Sequence, residues 1–202
     1  MSTGHVALVL AAGGSTRLGR PKQLLTRDGE TLVHRAARLA GESGAAQVVV
    51  VVGAHADAVA DALRDLACEL LANPHWPDGL SASLRVAAPR IAAAAAPVLV
   101  MGCDQPGLEL AHLHALLHAA HAAPSGCAAT AHGDDPGMPA VLPHAWFDAA
   151  RALSGDRGFR ARLQALGDAL PRVAVPDAQR LDIDDRDDLA RARASGLIDP
   201  LG

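Results

Sequence analysis

The chain has 202 residues, half of them hydrophobic, only 2% aromatic and none of them Tyr. That is enough apolar material for a core and too much for a disordered chain. A formal net charge of −4 gives no electrostatic reason to expect a nucleic-acid partner, and the shortage of aromatic rings argues against a base-stacking single-strand platform.

No stretch reaches the roughly 20 unbroken apolar residues of a membrane span. Met1–His5 carries no charged n-region, so no secretory leader is expected. Cys68, Cys103 and Cys127 are odd in number and lack C-x-x-C spacing. A reducing, cytoplasmic setting follows, without a disulfide framework or a zinc knuckle.

Residues 5–11 (HVALVLA) read as a first strand, 31–42 as a helix, 47–52 (QVVVVV) as a second strand ended by Gly53, and 55–66 as a helix. Residues 97–102 (PVLVMG) read as a buried strand and 109–122 as a helix. Short apolar pieces follow at 128–131, 140–142 and 172–175, and a last helix runs from about 186 to 194. The first strands are continuous apolar runs without alternation, the pattern of a parallel sheet covered on both faces. Strand–helix alternation implies right-handed βαβ units and a doubly wound α/β fold, taken as one domain over 1–202. The Pro/Gly-rich stretch 124–143 reads as an inserted loop or hairpin over the sheet. Ligands in such folds bind beyond the carboxyl ends of the strands, so the residues after each strand matter most.

The first strand runs into Leu10-Ala11-Ala12-Gly13-Gly14-Ser15-Thr16-Arg17-Leu18-Gly19-Arg20-Pro21-Lys22. Glycines here let backbone amides wrap an anion, with Arg17 and Lys22 supplying opposing charge. A glycine turn with solvated basic residues is the plainer alternative. Gly14-x4-Gly19 imitates a P-loop, but Arg20-Pro21 stand where Lys-Ser/Thr belongs, and G-x-G-x-x-G is absent, which disfavours a dinucleotide-binding dehydrogenase. The strand at 97–102 ends in Cys103-Asp104-Gln105-Pro106. Asp104 there is placed to hold a hard cation against phosphate oxygens, or to cap the following turn. In Leu181-Asp182-Ile183-Asp184-Asp185, strand alternation turns Asp182 and Asp184 to one face, while Asp185, Asp187 and Asp188 suit the start of the final helix.

The loop resembles the signature L-A-A-G-x-S-x-R-x-G-x-P-K of nucleotidyltransferases with the MobA-like fold, matching at Leu10, Ala11, Ala12, Gly13, Ser15, Arg17, Gly19, Pro21 and Lys22. Cys103–Pro106 resembles that family's metal-aspartate motif. Asp182–Asp185 resembles its D-I-D-T-P-E-D segment, except that Asp185-Arg186 replace Thr-Pro. Gly53–Val59, Asn73–Leu84 (near N-P-x-W-x-x-G-x-x-S-S-L), Gly137–Ala140 and Gly155–Gly158 resemble the molybdenum cofactor cytidylyltransferase branch, as does Pro21 before Lys22.

The resemblance implies a three-layer, Rossmann-like, mostly parallel sheet of the nucleotide-diphospho-sugar transferase type. It implies CTP and a molybdopterin or molybdenum cofactor acceptor as substrates, Mg²⁺ as cofactor, and a molybdenum hydroxylase as recipient of the product. Arg17, Lys22 and Asp104 would be catalytic, with Mg²⁺ on Asp104 and Asp184 and with Asp182 as the alternative second ligand. Leu10, Ala11, Ala12, Gly13, Gly14, Ser15, Arg17, Lys22, Gly53, Asn73, Gly79, Ser81 and Ser83 would bind nucleotide. Gln105, Pro139, Ala140, Asp156 and Arg157 would bind the acceptor, although Gly155–Gly158 is equally a polar turn.

Gly79, Ser81 and Ser83 are expected to open a helix whose first amides face the nucleotide. Trp76 reads as a packing residue. His112, His114, His118 and His121 read as a solvated helix face, with no H-E-x-x-H pattern. Other readings are a related transferase using GTP, ATP or another nucleotide on a different phosphorylated acceptor, and a non-catalytic carrier of the nucleotide cofactor.

Overall fold

A strand that is apolar on both faces has to lie in the middle of a covered sheet. In the computed structural model, which describes residues 4–200, β1 (Val6–Ala11) is such an interior strand. The leader expectation for Met1–His5 therefore falls largely outside the described residues. After β1 come a small ribbon, β2 (Thr26–Arg27) and β3 (Glu30–Thr31), then α1 (Leu32–Glu42), β4 (Gln47–Val52), α2 (Ala56–Ala62) and β5 (Glu69–Ala72). The chain continues through α3 (Leu80–Ala94), β6 (Val98–Gly102), α4 (Leu110–Ala122), β7 (Ala128–His132), β8 (Asp135–Leu142), α5 (Arg160–Gln164), β9 (Arg172–Val173) and α6 (Arg186–Ala194).

Seven strands form one sheet in the order β5-β4-β1-β6-β8-β7-β9. The first four run parallel; β8 is antiparallel to β6 and β7, and β9 runs parallel to β7. The mostly parallel α/β sheet is as expected, but the stretch 124–143 does not lie over it. It supplies the β7–β8 hairpin, which extends the sheet edge-on from β6.

Alternation along β1 sends Ala7, Val9 and Ala11 to a core with α1 and α4, and Val6 and Leu8 to a core with α3. Three of the chain's four aromatic residues are spent on the second core: Phe159 packs on Trp146 and Phe147, with ring centroids 6.0 and 5.2 Å away. A third cluster joins Leu18 of the loop after β1 to Ile183 and to Leu189 and Ala192 of α6. This cluster clamps the late acidic segment beside the glycine loop.

One element, β5, and the body of α3 beyond its expected start at Gly79 had no clear signal. β5 is a four-residue edge strand with half-exposed side chains. Most of α3 is alanine-rich, with weak amphipathic contrast and Pro89 inside it. The helix expected over 55–66 ends at Ala62. His114, His118 and His121 are exposed as expected, but His112 is buried: its Nε2 lies 2.8 Å from Thr130 Oγ1, which donates to Pro139 O at 2.7 Å. Helical period turns His112 inward with Leu113 and Leu116, and the Thr130 hydroxyl satisfies its ring.

Candidate active site

The loop after β1 is held open by hydrogen bonds from its own continuation. Ser15 sits at φ +51°, and its carbonyl accepts from Leu18 N and Gly19 N at 3.1 and 3.0 Å. Its hydroxyl accepts from Lys22 N at 3.1 Å. Gln23, only 1% exposed, donates through Nε2 to Ala11 O (3.0 Å) and Gly13 O (2.6 Å), stapling both sides of the glycine turn. The sequence offered no sign of this role: a glutamine beside a lysine reads as solvated, and only the bare carbonyls of a glycine loop make it a brace. Gly14 is required by space, since a methyl group there would come within 2.5 Å of Trp76 Cζ3.

Two acidic segments meet the loop. Asp104 follows β6, and its carbonyl accepts from Ile183 N at 2.9 Å. Ile183 is fully buried. Asp182 and Asp184, one residue to either side, therefore both turn toward the strand ends, although 181–184 pairs with no strand. Asp185 caps α6 in a capping box with Asp188, as expected.

Lys22 Nζ donates to Asp104 Oδ2 at 2.7 Å and to Asp184 Oδ1 at 3.0 Å, and Arg17 Nη2 reaches Asp184 Oδ2 at 3.0 Å. Burial by itself would lower the Lys22 pKa, but the two carboxylates outweigh it and hold the ammonium protonated well above its ordinary range. Burial would raise Asp184, yet Lys22 and Arg17 hold it below the usual carboxylate value. Asp182 makes no such ion pair among the described residues, and only Gln105 and His132 pull its pKa down. Burial, then the charge of Asp104, push it up to about 6.

The loop and both acidic segments wall a cleft of about 620 Å³. A second cavity of about 340 Å³ adjoins it, sharing Asp104, Asp156 and Met138. Its walls are apolar, with Val100, Leu142 and Phe159 among them, and Gln105, His132 and Asp182 also line it. Three buried side-chain atoms, Gln105 Oε1, His132 Nε2 and Asp182 Oδ1, have no hydrogen-bond partner among the described residues. Leaving such groups unpaired is costly, so this wall is suited to a polar ligand. His132 gave no sequence signal because it ends a strand and belongs to no motif.

A glycine-rich loop after one parallel strand, a lysine, and Asp104 after another with Asp184 brought beside it agree with the comparison to known proteins. Residues 7–170 match the MobA-like NTP transferase domain. The chain belongs to this family. It is 35% identical over 164 residues to the nicotine blue oxidoreductase of Paenarthrobacter nicotinovorans, covering 78% of this chain and 80% of the relative. It is 32% identical over 176 residues to a probable molybdenum cofactor guanylyltransferase of Opitutus terrae, covering 85% of each. The solved structure of Rv0371C complexed with manganese, from Mycobacterium tuberculosis, superposes with a TM-score of 0.78 at 27% identity, covering 95% of this chain and 99% of that one. The fold is thus the α/β nucleotidyltransferase fold.

In this MobA-like domain the cleft gathers most of the residues expected at the nucleotide: Leu10, Ala12, Gly13, Gly14, Ser15, Arg17, Lys22, Gly79 and Ser83 line it, with Asp104 and Asp184. Ala11, Gly53, Asn73 and Ser81 stand outside its lining. Ser81 Oγ is buried and accepts from Arg85 at 3.0 Å, and Asn73 donates to Ser83 Oγ at 3.1 Å. The first amides of α3 are also engaged elsewhere: Leu80 N donates to Asp156 Oδ1 (3.4 Å) and Ser81 N to Gly155 O (3.0 Å). They are taken up by the 155–156 turn, because Gly79 at φ +86° brings the helix start against it. Of the residues expected at the acceptor, Gln105, Ala140 and Asp156 line the second cavity, whereas Pro139 and Arg157 do not.

Proposed function

We propose that the chain joins a cytidylyl group from CTP to the terminal phosphate of molybdopterin or its molybdenum-bearing form. A phosphate oxygen of the acceptor forms a bond to the α-phosphorus, the bond from that phosphorus to the β-phosphate bridging oxygen breaks, and pyrophosphate leaves. The attacking oxygen is already anionic, so the task is alignment and charge neutralisation, and a strong base is not needed. The observation that carries this reading is the Lys22 ammonium held between Asp104 and Asp184 on the floor of the cleft, with Arg17 at its lip.

The donor set suits a divalent cation. Mg²⁺ takes one or two carboxylates and completes its shell with phosphate oxygens and water, and Asp104 and Asp184 already converge on one positive charge. Bound there, Mg²⁺ would neutralise charge on the triphosphate and pyrophosphate oxygens. Lys22 and Arg17 share that work from the protein side, the glycine loop lies along the phosphates, and the second cavity holds the acceptor opposite. The Arg20-Pro21-Lys22 turn and the Asn73–Leu84 segment support cytidylyl over guanylyl transfer. Delivery of the product to a molybdenum hydroxylase belongs to the same reading.

Incubation with CTP, Mg²⁺ and purified molybdopterin, followed by mass spectrometry, should give a cytidine dinucleotide of the pterin. Asp104→Ala should form none while keeping the wild-type circular dichroism spectrum. Product formation by that variant, or reduction of a dye with a nicotinamide and no nucleotidyl product from wild type, would overturn the reading.

A further inference from the structure

We propose that Trp76 is the base-contacting residue of the cleft, presenting its indole to the nucleobase; this rests on the nucleotide reading above. The cleft is electrically divided. Arg17, Lys22, Asp104 and Asp184 are bound to one another by ion pairs and make up the end suited to a triphosphate. Beyond Gly14 the lining changes to Trp76, Pro77, Gly79 and Ser83. Asp156 is the one charged group there, and its carboxylate accepts from the first amide of α3.

The indole is held in place from two sides. A methyl group on Gly14 would approach Trp76 Cζ3 and Cη2 to 2.5 and 2.7 Å, and one on Gly53 would approach Trp76 Cβ to 2.7 Å. Both glycines follow parallel strands, and both leave the room the tryptophan occupies. From below, the turn is braced by Asn73, whose carbonyl accepts from Trp76 N at 3.3 Å and whose side chain accepts from His75 N at 3.0 Å. The other three aromatic residues pack on one another in the core. Trp76 touches that same core with part of its surface, as the packing expectation had it, but it also borders the cleft. A ring fixed on the phosphate loop and open to the adjoining space meets whatever the triphosphate carries, and a base offers it a flat π-face.

The test is equilibrium binding of CTP and of inorganic tripolyphosphate, each with Mg²⁺, to the full chain and to Trp76→Ala and Trp76→Phe. Tripolyphosphate has the charge of the nucleotide and no base. Trp76→Ala should lose roughly 10- to 100-fold in CTP affinity, the range of base–aromatic stacking, with tripolyphosphate affinity unchanged, and Trp76→Phe should recover most of the loss. In a Trp146→Phe background, where Trp76 is the remaining indole, CTP should quench the fluorescence and tripolyphosphate should not; the affinity measurements stand whether or not that variant folds.

Equal weakening of both ligands would make Trp76 a prop for the phosphate loop and overturn the proposal. Unchanged CTP affinity in Trp76→Ala would overturn it as well. Wild-type protein that binds tripolyphosphate but no nucleotide would overturn the nucleotide reading together with the proposal, and this shows before any variant is made.

Discussion

Replacing Asp182 with Asn should change how stability depends on pH, and the size follows from the site. Asp182 is mostly buried and faces the charge of Asp104, which together outweigh the lowering by Gln105 and His132, so it keeps its proton up to about pH 6 instead of the ordinary 3.8. Between those values the folded state binds more protons than the unfolded state, so stability must fall as pH rises. The contribution is fully present below about pH 3.8 and lost as pH passes 6. At about 1.4 kcal/mol per tenfold change in proton affinity, the whole linkage is roughly 3 kcal/mol, of which about 2 kcal/mol falls between pH 4.5 and 7.5. Asn keeps the shape and cannot ionise. Urea unfolding in chelator-containing buffer should therefore show the variant gaining about 2 kcal/mol on wild type between those two pH values. Carboxylates held low by partners, such as Glu30 at about 2 beside Arg38, titrate below this window and cancel in the comparison. Parallel stability curves for the two proteins would mean that Asp182 ionises as readily in the folded as in the unfolded chain.

Lys22→Met removes the ammonium between Asp104 and Asp184 and should lower kcat/KM by roughly 10²–10³-fold while weakening tripolyphosphate binding; steady-state kinetics within a few-fold of wild type would exclude Lys22 from the phosphate role. Gln23→Ala strips the loop carbonyls of Ala11 and Gly13 of their donor. It should cost about 1–3 kcal/mol in urea unfolding and raise the KM for CTP, and an unchanged KM would show that the loop holds its shape without the brace. Asp185→Ala breaks the capping box of α6 and should destabilise by about 1 kcal/mol. Loss of activity far beyond that loss of stability would mean that Asp185 acts in the site itself.

The apolar runs at β1, β4 and β6 were legible because a strand covered on both faces has no polar alternation to confuse it. The loop signature was legible because glycine, proline and basic residues crowd a single strand end. β5 was not, since a half-exposed edge strand of four residues carries no periodicity. The hairpin at 128–142 was misplaced because its prolines and glycines read as an inserted loop or hairpin over the sheet, whereas β8 pairs with β6 through Val98–Val100. In the site, Asp104, Asp184 and Lys22 follow from position after a strand and from motif. Gln23 and His132 do not, because their roles depend on carbonyls and cavity walls brought near only by the fold. Ser81 shows the reverse: a hydroxyl two residues beyond a glycine N-cap looks available to ligand, but the rotation of the helix buries it.

Nucleotidyl transfer from CTP is tested most directly by pyrophosphate release from CTP, GTP and ATP separately, with Mg²⁺, in the presence and absence of molybdopterin. Release is expected with CTP and pterin together and in no other combination. Release with GTP and pterin instead would contradict the choice of nucleotide, and silence with all three nucleotides despite measurable binding would contradict the choice of acceptor.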